Sequence, residues 1–411
     1  MTGAPGLRRF ALDLSPLRHS RDLRLVFTAR TASLFGIGLL MVAVPVQVYA
    51  LTGSAVHLGA VAATQGAFTF AGTLSGGVLA DRYDRRRVIV LARSAAGVGF
   101  ALLAVNALLP DPPLLPIYLL AAWDGLAAGI SASALTALIP ALVRREDLPA
   151  TGALLSLTAD LSAVASPAVG GVLIAAFGVA ANYAAAALAT VFTAFSISRL
   201  PPKPAPGAGR EPVVKAVAAG LSFASRQPVV RSVLLAGVAM MLLSGPVVLL
   251  PALVETRFGG GEVVLGLLYS APALGAVAGS LTSGWIGRVH RVGLALSAAM
   301  AGMAAAVLAV GLSAVVPLAF LALAAYGLGR VLGDILRFTV MQSHTPDEFR
   351  GRVSSLWQAQ VVASAATGSL VAGLLAEAFT PSAALVAYGA AALTLTAVLT
   401  AALPALRAAR R

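Results

Sequence analysis

The chain has 411 residues, of which 59% are apolar and 11% charged, against roughly 45–50% and about 25% in soluble domains. That much apolar surface exceeds what one soluble core can bury, so a soluble globular protein is excluded. A formal charge of +13 would suit a nucleic-acid binder only if the basic residues formed a continuous patch; here they punctuate long apolar runs, and nucleic acid is excluded as a partner. Cysteine is absent, which removes disulfide scaffolds, thiolate metal sites and thiol catalysis.

A membrane-spanning helix needs roughly 20 apolar residues. Runs of that length, bounded by charges or turn residues, predict helices at 24–50, 57–80, 88–109, 114–139, 150–176 and 179–198. Six more are predicted at 229–255, 262–287, 292–313, 315–343, 353–378 and 381–403. Ahead of them, residues 1–23 carry Leu7, Phe10, Ala11, Leu14 and Leu17 at helical spacing among arginines, the pattern of an amphipathic segment lying on the inner membrane surface. Residues 200–228 open with LPPKPAPGAGR and break the apolar pattern near the midpoint. The expected organisation is therefore a six-helix bundle at 24–199, a cytoplasmic linker at 200–228, a second six-helix bundle at 229–403 and a basic tail at 404–411. The fold class is all-α, with twelve transmembrane helices in two related bundles.

Membrane proteins keep lysine and arginine in cytoplasmic loops. With both termini inside, 25 of the 29 basic residues fall in cytoplasmic segments, among them Arg82, Arg85, Arg86, Arg87, Arg93, Arg144 and Arg145. Only Arg257 falls on the opposite side. The expected location is the cell membrane, with the lipid bilayer as an obligatory partner.

The two halves echo each other. GVLADRYDRRR starts at Gly77 and GWIGRVHR at Gly284; PALVRREDL starts at Pro140 and PDEFRGRV at Pro346. The intervals, 63 and 62 residues, suggest duplicated units of the kind found in secondary transporters, which bind substrate between repeats. In the first of these stretches, Gly77 permits close packing, Asp81 can accept hydrogen bonds from a helix N-terminus, and Arg82, Arg85 and Arg86 can bind helix C-terminal carbonyls or phosphates. In the fifth span, Pro167 removes a backbone donor, while Ser162, Ser166, Gly170 and Gly171 let a neighbouring helix approach.

Ionisable groups inside a span cost at least about 2.5–3.5 kcal/mol and face a cavity or a partner. Six are expected there: Arg30, Asp124, Asp160, Arg330, Asp334 and Arg337. The third, sixth, ninth and twelfth spans are expected to carry none away from their ends. Arg330, Asp334 and Arg337 are spaced four and three apart and share one helical face, which fits either cavity charges or a self-compensating ion pair. Asp124 and Asp160 have no opposite charge within four residues, so their partners must come from other helices. They are the candidates for proton acceptors, with a structural salt bridge as the alternative. The four histidines form no metal-like cluster, no nucleotide-binding loop is present, and neither an enzyme activity nor a cofactor or metal is expected.

The stretch at 77–87 resembles the Gly-x-x-x-Asp-Arg-x-Gly-Arg-Arg/Lys loop of the major facilitator superfamily, with Asp84 in place of the usual glycine. The Ser166-Pro167-Ala168-Val169-Gly170-Gly171 stretch is similar to the Gly-Pro-x-x-Gly-Gly motif of exporters in that superfamily. VAVPVQVYALTGS at 42–54, GGVLADRYDRRRVIVLAR at 76–93, NALLPDPPLLPIYLLAAWDG at 106–125 and TPDEFRGRVSSLWQAQ at 345–360 together resemble its enterobactin-type siderophore exporters and drug-proton antiporters. The resemblance implies a monomeric secondary transporter in which Gly77, Asp81, Arg82, Arg85 and Arg86 latch the two halves. It implies export of a siderophore in exchange for protons, with a lipophilic drug as the alternative substrate. The siderophore exporters carry a basic residue at the position of Asp160 and small hydroxyl residues at those of Arg330 and Asp334, which keeps the alternative open.

Overall fold

A computed structural model describes residues 17–18, 20–139, 142–202, 213–243 and 245–409. Most of the predicted amphipathic segment lies outside the described residues. Six long helices form the first half: α1 (Arg21–Thr52), α2 (Ala55–Arg82), α3 (Arg85–Ala107), α4 (Leu114–Leu138), α5 (Leu148–Phe177) and α6 (Val179–Ser198). A helix the sequence does not predict, α7 (Val213–Arg226), lies in the linker. The second half holds α8 (Pro228–Leu243), α9 (Glu262–Thr282), α10 (Val292–Leu312), α11 (Val316–Ser343), α12 (Asp347–Ala378) and α13 (Pro381–Ala402). No strand occurs among the described residues.

Ten of these helices are long and apolar enough to cross a membrane. The other two crossings are α2, whose Gly, Ser, Thr and Gln65 dilute its apolarity, and α8, which is short. The sequence predicts one continuous seventh span at 229–255, but the helix is interrupted. After Leu243 come a 3-10 turn at Pro246–Leu249, a short helical turn at Leu250–Leu253 and a π-turn at Val254–Phe258. Pro246 and Pro251 each withhold a backbone N–H, which interrupts the regular hydrogen-bond ladder. Gly259, at φ 57°, ends the segment in a conformation that glycine adopts without strain.

Local chemistry sets the other helix ends. The Ser20 hydroxyl accepts the Leu23 N–H at 3.1 Å to start α1, which stops at Gly53 (φ 59°). Asp84 starts α3, its carboxylate accepting the Arg86 N–H at 2.9 Å. Its φ is −57°, so the position needs no glycine. The aspartate that departs from the family pattern acts here as an N-cap.

Side chains tie the arginine-rich loops together at one end of the bundle. Arg85 Nη1 donates to the Ala137 carbonyl at 2.7 Å, and Arg86 Nη1 to the Ser198 and Leu200 carbonyls at 3.3 and 2.8 Å. These bonds satisfy carbonyls at the C-terminal ends of α4 and α6, which no intrahelical donor reaches. At the opposite end a buried polar cluster joins three helices: Tyr183 donates to Gln47 Oε1 at 2.7 Å, Gln47 donates to Asn106 at 3.1 Å, and Asn106 donates to the Pro113 carbonyl at 3.2 Å.

The halves meet mainly through α2 against α12 and α5 against α9. Both seams are built on small residues at the end remote from the arginine-rich loops. Gly59 lies on the backbone of Ser369 and Leu370, Gly66 on Ala366, and Gly373 on Ala55 and Gly59. On the other seam Gly171 lies against Glu262 and Gly266, and Gly266 against the Pro167 carbonyl. Pro167 and Gly171 of the fifth-span motif therefore sit where the halves touch, whereas Gly170 packs within the first half against Leu39 of α1 and Asn182 of α6.

Candidate functional site

Glycine packing places the first charged site. Gly125 and Gly129 of α4 pack on the α2 backbone at Gln65 and Thr69, and Gly72 and Gly76 of α2 pack on α4 at Leu126 and Ile130. A side chain at any of these four positions would force the helices apart. With the backbones this close, Gln65 Nε2 reaches Asp124 Oδ2 at 2.8 Å. Asp124 also lies in the field of Arg93, whose Nε donates to Ser131 Oγ at 2.8 Å.

Arg93 corrects the sequence reading, which puts it in a cytoplasmic loop and leaves the third span without internal charge. It stands instead eight residues inside α3 and is 8% exposed. The run of arginines before it suggests a loop, but α3 begins at Arg85 and carries Arg93 roughly 12 Å into the bundle. Arg30, nine residues into α1, adds its charge near Arg93, with its Nε buried and without a hydrogen-bond partner.

Asp124 and Gln65 form part of the wall of a cavity of about 360 Å³. Its remaining wall is mostly apolar, including Met41, Val44, Leu58, Phe100 and Leu103, with Val247, Tyr269 and Ser369 contributed by the second half. The buried Tyr269 hydroxyl has no hydrogen-bond partner. Of the six span charges predicted from sequence, Asp124 alone lines this cavity.

Three others gather in the second half, around a smaller cavity of about 80 Å³. Asp334 pairs with Arg330 at 3.7 Å and with Arg337 at 3.9 Å, as their shared helical face predicts. Arg337 is 3% exposed and donates to Gln360 Oε1 at 2.8 Å, while Gln360 Nε2 donates to the Leu234 carbonyl at 2.8 Å. Gly237 of α8 makes room for the guanidinium; a methyl group there would collide with it. Asp160 of α5 joins neither cavity wall, and its electrostatic partner is Arg330, across the gap between the halves.

Gln65, Gln360, Gly237 and Tyr269 are not among the site residues predicted from sequence. The two glutamines could have been found as isolated amides within apolar helices, where an unpaired amide is costly. Gly237 and Tyr269 carry no such local signal.

A model of the transmembrane secretion effector family matches residues 11–410. The enterobactin exporter EntS of Shigella boydii serotype 18 is 41% identical over 382 residues, covering 92% of this chain and 91% of that protein. The enterobactin exporter EntS of Citrobacter koseri is 41% identical over 370 residues, covering 90% and 89%. Among solved structures, the nucleoside transporter NupG superposes with a TM-score of 0.76 at 12% identity, covering 93% of this chain and 98% of that one. A peptide-transporter (POT) family member bound to 5-aminolevulinic acid gives 0.75 at 13%, covering 94% and 97%. Family match, identity over nine-tenths of the length and shared fold agree: the chain belongs to the transmembrane secretion effector family of major facilitator transporters and is a multi-span membrane transporter.

Proposed function

We propose that the protein is a proton-coupled exporter of an enterobactin-type siderophore, working as a monomer in the cell membrane by alternating access. The observation that carries the coupling is the Asp124 carboxylate on the wall of the larger cavity, held by Gln65 of α2 and facing Arg93 of α3. Its partners lie on different helices, so taking up a proton changes the interactions between helices.

The arginine-rich end faces the cytoplasm in this reading, and the seams at the far end are closed, so the cavity receives substrate from inside. An aromatic substrate fits the apolar wall, with the Tyr269 hydroxyl and Gln65 as polar contacts. Arg330 supplies positive charge toward an anionic catecholate, and Asp334 and Arg337 hold it in place. Asp160, opposed to Arg330, is the second group whose protonation alters attraction between the halves. Arg82, Arg85 and Arg86, with Gly77 and Asp81, form the loop that latches the halves when this end closes; with the cavity open to the inside, Arg85 and Arg86 bind carbonyls within the first half.

A second reading, export of lipophilic cationic drugs, is favoured by the same cavity, where one carboxylate stands among apolar side chains. Proteoliposomes with an imposed pH gradient separate the two. Uphill movement of a catecholate siderophore, abolished by collapsing the gradient, supports the first. Movement of lipophilic cations without siderophore transport supports the second.

A further inference from the structure

Away from the seams, α3 and α6 enclose an open furrow of about 800 Å³ whose lining comes wholly from these two helices. We propose that it binds one acyl chain of an anionic phospholipid, with the phosphate held by Arg86 and Arg199. Its floor is built of small residues such as Gly97, Ala101, Ala104, Ala184 and Ala187, and Val98, Leu188 and Phe195 add bulk to its walls. It extends from Val90 to Ala104 on α3 and from Ala184 to Ser198 on α6, about 21 Å along each helix. One leaflet's hydrocarbon is roughly 15 Å deep, so a single chain can lie along it throughout.

The charged mouth distinguishes this furrow from ordinary lipid-facing surface. Phe195 and Ser198 line the arginine-rich end of the furrow. The Arg199 guanidinium sits 4.4 Å over the Phe195 ring, and Arg86 reaches the Ser198 carbonyl with Nη1. Two guanidiniums thus flank the point where a chain in the furrow would meet its headgroup, and planar guanidiniums match phosphate oxygens. Basic pockets between spans on the cytoplasmic side attract anionic headgroups in this way.

A second copy of the chain fits the furrow less well. A twofold dimer places like surfaces together: two concave furrows would leave a void, and Arg199 would oppose Arg199. An acyl chain fills the concavity, and its phosphate neutralises the arginines.

The test uses full-length protein in mild detergent and native mass spectrometry with added palmitoyl-oleoyl phosphatidylglycerol or phosphatidylcholine. The expected result is one tightly retained phosphatidylglycerol and no equivalent phosphatidylcholine. Arg199→Gln should weaken retention roughly fivefold, and Ala101→Trp, at an exposed position, should abolish it while the lipid-free melting temperature stays unchanged. Equal retention of both lipids, or full retention by Ala101→Trp, would show ordinary annular lipid and overturn the proposal. A wild-type dimer that Ala101→Trp converts to monomer would overturn it in favour of a second copy. Should Arg199→Gln fail to fold, Ala101→Trp and the comparison of lipids still decide.

Discussion

The two halves hold their internal charges in opposite ways. In the first, Asp124 on α4 takes its hydrogen-bond partner from α2 and feels the charge of Arg93 on α3. In the second, Asp334 lies between Arg330 and Arg337 of its own helix, and the links to other helices pass through those arginines, Arg337 to Gln360 and Met240 and Arg330 toward Asp160. A carboxylate whose partners lie on several helices reports its protonation as helix movement. One flanked within its helix is stabilised in place, and its neighbours can be aimed at a ligand without repacking the bundle. Under the proposed function, the duplicated architecture is specialised, one half for coupling and the other for charge presentation.

That division predicts unequal effects of mutation. The largest is expected for Asp124→Asn, which keeps the shape and the Gln65 contact but removes the charge proposed to take up the proton. Gradient-driven export should fall to the level of empty liposomes while substrate binding survives. Full uphill transport by this variant would erase the contrast between the halves.

Arg337→Met should act on stability instead. It leaves Asp334, a third exposed, with Arg330 as its one cation and strips Gln360 Oε1 of its donor, and an unsatisfied acceptor there costs about 1–3 kcal/mol. The melting temperature in detergent should drop clearly, and Arg337→Met combined with Asp334→Leu should recover much of it. No drop would mean that the second site is not the rigid element.

Gly171→Leu is expected to act between the halves, wedging the α5 and α9 backbones apart at a cost of about 1–3 kcal/mol for overpacking. Because the chain has no cysteine, a single introduced cysteine at Val44 on the cavity wall can report access from the remote side. Labelling there should rise in Gly171→Leu, and an unchanged rate would remove this seam from the gate. The smallest effect is expected for Asp84→Ala, about 1 kcal/mol for loss of the α3 N-cap, read as a small decrease in melting temperature.

The spans are legible because each run of about twenty apolar residues has few alternatives in a bilayer, and α4, α6 and α13 follow their predicted limits to within one residue at each end. The α11 ion pairs are legible for a similar reason, since a spacing of three and four is enough to bring side chains together on a helix. The partners of Asp124 are not legible. Gln65 comes within reach through glycine packing between α2 and α4, and the Arg93 charge acts on Asp124 because of the depth at which α3 starts; neither property is local in sequence. Arg93 is misread because basic residues signal loops only until a helix begins among them. The break in the seventh span is foreshadowed by Pro246 and Pro251, but the apolar run there hides it.

The glycine seams between the halves also govern how those halves can part. Where backbone lies on backbone there are few interdigitated side chains to withdraw, so two such surfaces can roll apart without waiting for rotamers to change. What gives way is dispersion attraction of about 0.1–0.2 kcal/mol per atom pair, released gradually instead of at one abrupt step. A seam of this kind acts as a bearing more than as a lock. Under the proposed function, the choice between its open and closed positions is thereby left to charges such as Asp160 and Arg330, which influence each other across the gap.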